Sequence, residues 1–518
     1  MRNLMNLSLV GQCFLLLFMV PVLLVALSSC GSGSVEVADN SEENISVDNE
    51  SDGVGQDGSD VETETTDQQS TGPEVTETEA TDTETEATDT EVTEPETTEP
   101  DGSEQGSSDS ATTIVQPNIL LVITDDQGID ASAQYSLSSD LPDTPVINSL
   151  ARNGITYENV WATPSCSTTR AALLTGKHGV NTGVLSVPGD LSADVGTIQA
   201  FLGQNAASSN YETAVFGKWH VDGGGGNLNH PNDLGVGHYA GHLRPNINDY
   251  FDWTITINGV EEQSTTYHTT ALVDNAIDWI DEQQNPWFAW LAFAAPHAPF
   301  HAPPDEFNTR GLSGTQSDIN ANEREYFLSA IETLDTELGR LLDSMDPATR
   351  DNTIVMVIGD NGTPRDVLDN DSFLDGHQKG SLFEGGVRVP LVISGAGVTR
   401  TNVRENGLVS VVDFFPTIAT LATGTDNEAI HDGINFLSSF SADGAIDRKF
   451  LYTDYDGNNA LGQGWAVRSL THKYLAYDNG TEVLYDLVTD PDETVDVLST
   501  NSVVAAELRA FGQQVRGE

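Results

Sequence analysis

The fold is decided by Ile119-Leu120-Leu121-Val122-Ile123-Thr124, a nearly unbroken apolar stretch that is followed at once by the acidic pair Asp125-Asp126. A strand with one face in water alternates apolar and polar side chains, whereas a continuous apolar run fits a strand that is covered on both faces. The stretch therefore predicts a central strand of a sheet that is packed between two layers of helices.

Three further apolar runs of strand length also end in polar residues. They span residues 213–217, 287–294 and 353–358. The polar residues that follow them are Lys218-Trp219-His220, Pro296-His297 and Asp360-Asn361-Gly362. Helical patterns at residues 270–280 and 323–345 lie between the runs, so the sheet is predicted to be mostly parallel. Ligands bind beyond the carboxyl ends of such strands, so we expect all four polar sets in one crevice.

The polar residues of this crevice have the chemistry of a metal site. Asp125, Asp126, Asp360 and Asn361 offer three carboxylates and one amide oxygen, hard ligands that favour Ca²⁺, or Mg²⁺, over zinc. Each Asp-Asp or Asp-Asn-Gly taken alone also has the composition of a turn or a helix cap. Two histidines and two lysines are expected close by, where they could hold an anion and move protons.

Cys166 is the one cysteine after residue 30, so the folded part of the chain cannot form an internal disulfide. It stands in Thr163-Pro164-Ser165-Cys166-Ser167-Thr168-Thr169-Arg170-Ala171-Ala172-Leu173-Leu174-Thr175-Gly176. This pattern predicts the start of a helix, and a helix N-terminus favours anions and activated nucleophiles. A buried, inert cysteine is the alternative.

The chain after residue 113 is predicted to be an α/β protein. A large domain at residues 114–440 has a mostly parallel sheet that is covered by helices on both faces. A smaller C-terminal α+β domain follows at residues 441–518, with an antiparallel sheet. There, Asp478-Asn479-Gly480 between two apolar runs is a hairpin signal, and a final helix is expected from about Ser502.

The N-terminus is expected to direct export. Residues 14–27 form an apolar run after the single cation Arg2, of the length of a signal-peptide core. The ending Leu27-Ser28-Ser29-Cys30 resembles a bacterial lipobox, which predicts a lipoprotein signal peptide at residues 1–30 and lipidation of Cys30. An uncleaved anchor and an ordinary signal peptide are the alternatives. We expect the protein to be lipid-anchored to the bacterial cell envelope, facing the periplasm or at the cell surface.

Residues 31–113 are predicted to be a disordered acidic linker. They hold 26 Asp+Glu and no Lys or Arg, in a background rich in Thr and Ser, and cannot bury enough apolar surface to fold. Calcium binding or adhesion is an alternative role for this segment. The whole chain has 21 Lys+Arg, 80 Asp+Glu and a net charge of -59, which excludes a nucleic-acid-binding protein that works through phosphate contacts.

Several motifs between Pro117 and about Leu498 resemble the sulfatase family of the alkaline phosphatase superfamily, the formylglycine-dependent, arylsulfatase-like type. They occur in the family's order: Pro117-Asn118-Ile119 through Asp126, Cys166 through Gly176, Gly217-Lys218-Trp219-His220, Ala295-Pro296-His297-Ala298-Pro299, Gly359-Asp360-Asn361-Gly362, Lys379 through Pro390, Asp413 through Thr417, and Leu484 through Pro491. The resemblance implies that the protein is a sulfuric ester hydrolase and that residues 114–440 are its catalytic domain.

The resemblance also implies a role for each matching residue. Cys166 would be oxidised by a formylglycine-generating or radical maturation enzyme, and the hydrated aldehyde would be the nucleophile. The four predicted metal ligands would hold Ca²⁺. Arg170 and Lys218 would hold the formylglycine and the sulfate, and Lys379 would bind the sulfate. His297 would donate a proton to the departing alcohol. His220 would be the base that removes a proton and so expels sulfate. The family motif has Pro or Ala two residues after the cysteine, where this chain has Thr168.

Three other functions remain open at this point. The same superfamily includes phosphodiesterases and phosphonate monoester hydrolases, which use the same nucleophile motif. An inactive binder of sulfated glycans and a surface spacer protein are the alternatives outside enzymes. The expected partner is a sulfated small molecule or polysaccharide. The Gly- and His-rich stretch Asp222–His242 is predicted to be a loop that lines the substrate pocket, and Arg244 and His301 are further candidates for this lining. A surface insertion is the alternative for the stretch.

Overall fold

The structure is a computed structural model and describes residues 116–224, 226–457 and 462–518. The predicted signal peptide, the lipidation site Cys30 and the linker at residues 31–113 lie outside the described residues. Within the described ranges, no helix has the length and apolar character needed to cross a membrane.

The four apolar runs form four adjacent strands, as predicted. They are β1 (Asn118–Thr124), β3 (Glu212–Lys218), β7 (Trp287–Ala292) and β8 (Thr353–Gly359). Their order in the sheet is β8-β1-β7-β3, and all three pairings are parallel. The carboxyl ends of these strands therefore meet at one edge.

Six more strands complete a ten-stranded mixed sheet of order β10-β2-β9-β8-β1-β7-β3-β4-β5-β6. They are β2 (Gly154–Trp161), β4 (His238–His242), β5 (Trp253–Ile257), β6 (Val260–Ser264), β9 (Leu391–Gly395) and β10 (Val403–Ser410). Strand β9 runs antiparallel to both neighbours, and β5 and β6 form an antiparallel extension at the other end. The centre of the sheet is parallel, which confirms the prediction.

Alternate side chains of β1 enter two different cores, which shows that the sheet is covered on both faces. Ile119, Leu121 and Ile123 pack in one core, and Leu120 and Val122 pack in the other. The helices are α1 (Pro145–Arg152), α2 (Cys166–Thr175), α3 (Gly179–Thr182), α4 (Ile198–Gln204), α5 (His230–Asp233), α6 (His268–Asp281), α7 (Gln316–Ile319), α8 (Glu323–Ser344), α9 (Pro347–Asp351), α10 (Glu384–Val387) and α11 (Phe414–Thr423). Four short 3₁₀ turns lie at Ile129–Ala131, Arg365–Val367, Val411–Asp413 and Leu437–Phe440.

The C-terminal part contains a separate antiparallel sheet, as predicted. Its strands are β13 (Leu451–Tyr455), β14 (Gly464–Arg468), β15 (His472–Tyr477) and β16 (Glu482–Asp486), and a two-stranded ribbon of β11 (Ala429–Ile430) and β12 (Gly433–Ile434) precedes it. The Asp478-Asn479-Gly480 turn joins β15 and β16, with Gly480 at φ 86°. Helix α12 (Ser502–Arg516) closes the chain against β14 and β15. The domain boundary at residue 440 stays a prediction.

The Gly- and His-rich segment Asp222–His242 is not simply a loop. Its second half forms helix α5 and strand β4, and β4 pairs in parallel with β3. Gly241 permits this pairing, because a Cβ atom there would lie 2.0 Å from the carbonyl oxygen of Gly217. The glycines that suggested a loop are partly a requirement for close strand approach.

Candidate active site

The polar residues predicted to converge do meet at the carboxyl edge of the parallel strands. Asp125 and Asp126 follow β1, Asp360 and Asn361 follow β8, and Lys218 is the last residue of β3. The side chains of Asp125, Asp126, Asp360 and Cys166 are all buried, and their ligand atoms lie within 4.8 Å of one another. We call this group of four the acidic cluster. Its formation confirms the reasoning from strand ends.

Helix α2 carries Cys166 into this cluster as its first residue. The Cys166 Sγ atom lies 3.3 Å from Asp125 Oδ1 and 3.5 Å from Lys379 Nζ, and the thiol is free. Burial, together with the charges of Asp125 and Asp360, raises the pKa of this thiol well above its usual value. The helix N-terminus therefore does not make the cysteine an activated thiolate, and the expectation of an activated nucleophile does not hold for the unmodified side chain.

Three cations neutralise the three carboxylates. Arg170 is completely buried, and its Nη2 and Nε atoms donate to Asp360 Oδ2 at 2.8 and 3.2 Å. Lys218 Nζ lies 2.5 Å from Asp125 Oδ2, and Lys379 pairs with Asp126 Oδ1. A buried charge without a partner is costly, so each pair stabilises a side chain that the core would otherwise exclude.

The pKa values in the cluster follow from burial and from these pairs. Burial favours the neutral form of Asp125, but Lys218, His297 and Arg170 hold the pKa of this carboxyl well below its usual range. Burial and the charge of Asp125 raise the pKa of Asp360 to about 6, although Arg170 opposes them. Of these two carboxyl groups, Asp125 is therefore held in the ionised form more strongly than Asp360.

The donor set fits a hard divalent cation. Asn361 Nδ2 donates to Asp126 Oδ1 at 2.8 Å and to the Gly362 carbonyl at 3.0 Å, whereas Asn361 Oδ1 is buried without a hydrogen-bond partner among the described residues. An unpaired buried carbonyl oxygen is destabilising unless something binds it. Together with three carboxylates, this oxygen suits Ca²⁺ or Mg²⁺.

Two residues of the site adopt a left-handed backbone. Asp126 has φ 72° and its N–H donates to Asp360 Oδ1 at 3.0 Å, and His220 has φ 61°. The His220 carbonyl accepts from Ser167 Oγ at 2.8 Å, and neither ring nitrogen has a partner in the described part of the chain. Burial, with Lys218 and Arg170 nearby, holds the pKa of His220 well below 6.5. Such strained positions are typical of sites where side-chain direction matters.

His297 faces the acidic cluster from the end of β7. Its Nδ1 lies 2.7 Å from the Ala298 carbonyl, which leaves Nε2 free to point to Asp126 Oδ2 at 3.7 Å. Burial lowers the pKa of His297 below its ordinary value, against the attraction of Asp126. The hydroxyl of Tyr250 donates to the His297 carbonyl at 2.7 Å. Sequence reasoning missed Tyr250, because it lies in a loop with no motif around it.

Thr168, where the family has Pro or Ala, belongs to a network of hydroxyl groups under the first turn of α2. Its Oγ1 donates to the Ser165 carbonyl at 2.8 Å, lies 3.0 Å from Ser165 Oγ and contacts Thr163 Oγ1. Thr163 N in turn bonds Thr169 Oγ1 at 2.9 Å. The side chain of Thr168 therefore helps to hold the turn that presents Cys166.

The two outer candidates are placed differently from each other. Arg244 is exposed in the loop between β4 and β5. His301 stacks on Tyr250 with ring centroids 4.0 Å apart, and its Nε2 lies 3.0 Å from the Tyr267 hydroxyl. His301 thus supports Tyr250, which in turn bonds His297.

Fold and site together define a class: a hydrolase built on a mostly parallel sheet between helices, whose acidic cluster, single cysteine and three cations suit an ester of a tetrahedral oxyanion. The family model described as Sulfatase matches residues 117–425, which is more than half of the chain. The chain therefore belongs to the sulfatase family and is a sulfuric ester hydrolase.

Known proteins of the family are similar over most of the described chain. The N-acetylgalactosamine-6-sulfatase of Homo sapiens is 28% identical in an alignment of 382 positions that covers 67% of this chain and 69% of that protein. The ulvan-active sulfatase of Formosa agariphila is 27% identical in an alignment of 409 positions that covers 74% of this chain and 77% of that protein. The crystal structure of Ps i-CgsB in complex with k-i-k-neocarrahexaose is 25% identical, with a TM-score of 0.66 over 77% of this chain and 93% of that one.

Proposed function

We propose that the protein releases inorganic sulfate from a sulfated glycan, with a formylglycine derived from Cys166 as the nucleophile and a calcium ion at the acidic cluster. The observation that carries the proposal is the position of Cys166 Sγ, 3.3 Å from Asp125 Oδ1 and 3.5 Å from Lys379 Nζ. The glycan class is supported by the names of the similar proteins, which include an ulvan-active sulfatase and a structure in complex with k-i-k-neocarrahexaose.

The unmodified thiol does not suit nucleophilic attack, because its raised pKa keeps it protonated at neutral pH. An aldehyde at this position would supply, when hydrated, a hydroxyl nucleophile and a second hydroxyl through which sulfate can be released. The conversion requires an oxidising maturation enzyme of the formylglycine-generating or radical type. We propose such an enzyme as a partner.

The metal ligands would be Asp125, Asp126, Asp360 and Asn361. A bound Ca²⁺ would neutralise the oxyanion and lower the pKa of a hydroxyl beside it, and Mg²⁺ is the alternative ion. The acidic cluster and the unpaired Asn361 Oδ1 support this assignment.

The charged residues around the cluster can bind and orient the sulfate group. Lys218 and Lys379 lie against Asp125 and Asp126, and Arg170 lies against Asp360. Cations placed in a buried site attract an anion more strongly than they would in water. We propose that Lys218 and Arg170 orient the nucleophile and bind the sulfate, and that Lys379 binds the sulfate near the leaving oxygen.

The two histidines are assigned to proton transfer. His297 Nε2 faces the cluster and can deliver a proton to the leaving alcohol oxygen, while its Nδ1 is fixed on the Ala298 carbonyl. His220 has two buried ring nitrogens without a partner among the described residues and a pKa well below 6.5, so it is neutral at pH 7. It can therefore accept the proton that is released when sulfate leaves.

Export and lipidation at Cys30 complete the proposal and rest on the sequence alone. A tethered enzyme with a long acidic linker would reach polysaccharides beyond the membrane surface. We expect it to face the periplasm or the cell surface. The runner-up function is hydrolysis of phosphodiesters or phosphonate monoesters at the same site.

The decisive experiment is the mass of the tryptic peptide Asn153–Arg170 from protein purified from its native host. We expect the aldehyde, and sulfate release that is lost in Cys166→Ala and on chelation of calcium. A peptide with only unmodified cysteine, in protein that binds sulfated glycans without releasing sulfate, would favour an inactive binder. Faster hydrolysis of an aryl phosphonate than of an aryl sulfate would favour the runner-up.

A further inference from the structure

The loop between β4 and β5, residues 243–252, is hydrogen-bonded to the catalytic histidines at both of its ends. The His220 N–H donates to the Leu243 carbonyl at 3.2 Å, and the Tyr250 hydroxyl donates to the His297 carbonyl at 2.7 Å. The loop therefore borders the active site, and a change in its position would be felt by both proposed proton-transfer groups.

A pocket of about 240 Å³ lies between this loop and the β5–β6 hairpin. We call it the β4–β5 pocket. Its lining includes apolar residues such as Trp253 and six planar polar side chains: Arg244, Asn246, Asn248, Asp252, Glu261 and Gln263. It is smaller than the pockets of roughly 300–1,000 Å³ that hold drug-sized ligands. A pocket of this size with amide, carboxylate and guanidinium groups suits one sugar ring, because these groups bond hydroxyls in fixed directions.

Arg244 is the one cation of the β4–β5 pocket, and it has no ion pair within the described ranges. Several other arginines of this acidic chain are paired, such as Arg310 with Glu325 at 2.6 Å and Arg365 with Asp375 at 2.8 Å. The exposed Arg152, like Arg244, has no ion pair among the described residues. An exposed guanidinium that is free of the many available carboxylates remains available to an anionic group of a ligand, which it can bind with two hydrogen bonds.

The pocket is near the site but separated from Cys166 by several strands. His242, the last residue of β4, lines the pocket, and β4 is three strands from β1 in the sheet order. With neighbouring strands about 4.8 Å apart, the backbones of β1 and β4 lie roughly 14 Å apart. A monosaccharide cannot reach across this distance, whereas an oligosaccharide can.

From these observations we propose that the β4–β5 pocket is an outer subsite of the substrate cleft. Arg244 binds there a second anionic group, a sulfate or a carboxylate, on a sugar unit remote from the scissile ester. The proposal rests on the proposed function and narrows it: the substrate is a chain with at least two anionic units. Arg244 acts as a specificity residue and takes no part in bond breaking.

The test compares Arg244→Gln with wild type on a small and a long substrate. Losing a charge-assisted hydrogen-bonding group typically weakens binding about 10- to 100-fold. We therefore expect KM for sulfated oligosaccharides of ulvan or carrageenan to rise by that factor, with kcat nearly unchanged. Hydrolysis of 4-nitrophenyl sulfate should be unaltered. Arg244→Lys should restore part of the affinity, and Arg152→Gln, which removes an exposed arginine from the end of α1, is the matched control.

The failure of this inference can be distinguished from failure of the proposed function. If wild type hydrolyses 4-nitrophenyl sulfate and the oligosaccharides but Arg244→Gln leaves both KM values unchanged, the subsite is wrong and the sulfatase function stands. If wild type releases sulfate from nothing, binding of the full chain to an array of sulfated glycans decides the matter. Binding that is lost in Arg244→Gln supports the subsite, and equal binding by both proteins overturns it.

Discussion

Replacement of Asn361 by leucine tests whether the acidic cluster holds a cation. Asn361 Oδ1 is buried with no partner in the described structure, and its Nδ2 bonds Asp126 and the Gly362 carbonyl. Without a cation, Asn361→Leu removes both a destabilising unpaired oxygen and two hydrogen bonds, so the stability of the metal-free protein should change little. With a cation, the variant lacks one ligand oxygen.

The expected size of the effect follows from linkage. A ligand at 100 times its Kd stabilises the folded state by about 2.7 kcal/mol. Mutation of partners outside the ligand shell already weakens metal binding about 10- to 100-fold, so a lost ligand should cost about 100-fold. At the same calcium concentration, calcium would raise the free energy of unfolding of the variant by only about 0.4 kcal/mol, which is about 2.3 kcal/mol less than for wild type. With an unfolding entropy of about 2.1 cal/mol/K per residue over roughly 400 residues, this deficit corresponds to about 3 °C in Tm.

The assay is a thermal melt of both proteins in EDTA and across a calcium titration, repeated with magnesium. Asn118→Leu serves as the control, because Asn118 is a buried asparagine at the opposite end of β1, with Nδ2 3.4 Å from Thr353 Oγ1. The control should melt lower than wild type but keep the full calcium increment. An equal increment in Asn361→Leu and wild type, or no increment in wild type, would refute the reasoning.

Three further outcomes are expected. His297→Gln should lower kcat on a carbohydrate sulfate by about 10²- to 10⁴-fold, the usual contribution of a general acid. The loss on 4-nitrophenyl sulfate should be far smaller, because nitrophenolate leaves without a proton. Equal losses on both substrates would contradict the assignment of His297. Thr168→Pro should fold, because proline fits the first turn of a helix. Its free energy of unfolding should fall by about 1 kcal/mol, because only the buried hydroxyl contacts are lost. The aldehyde fraction of peptide 153–170 should not fall. Asp335 has its pKa raised to about 6 by burial, so its contribution to stability is fully present below about pH 3.8 and is lost as pH rises through about 6. Melts of Asp335→Asn from pH 4 to 7.5 should therefore show the variant gaining on wild type as pH rises, and a constant difference would show that Asp335 does not titrate in this range.

The parts of the fold that could be predicted depend on patterns carried by single segments. The unbroken apolar run before Asp125 indicates a strand covered on both faces, and the general rule for strand ends then places the polar residues in one crevice. Helix α2 could be anticipated because the Pro- and Ser-containing turn shortly precedes the helix-forming residues Arg170-Ala171-Ala172-Leu173-Leu174. Each of these inferences requires only local sequence and one rule of topology.

Other hydrogen bonds could not be predicted, because the donor and the acceptor are far apart in the chain. Asp335 accepts hydrogen bonds from the N–H groups of Val146 and Ile147 at 2.9 and 2.8 Å and so caps α1 from a distant helix. The Tyr250 hydroxyl reaches the His297 carbonyl in the same way. No local pattern marks such pairs, and only the folded arrangement of the elements reveals them.

The state of Cys166 shows a different limit of sequence reasoning. Its place at a helix N-terminus suggested an activated thiol, but burial of the side chain, together with the nearby carboxylates, raises the thiol pKa instead. The helix terminus contributes only about half a unit charge, spread over its first N–H groups. Burial of the thiol and the negative charges of Asp125 and Asp360 together outweigh it.

The charge balance of the site explains why a cation and an anionic substrate belong together there. Asp125, Asp126 and Asp360 carry three negative charges when ionised, and Arg170, Lys218 and Lys379 carry three positive ones, so the six side chains together are neutral. A neutral buried cluster has little net attraction for sulfate. A divalent cation on the carboxylates would leave a net charge of +2, because its charge is added to six side chains that already sum to zero. Sulfate affinity would then depend on the cation, and by linkage sulfate would tighten cation binding by the same factor.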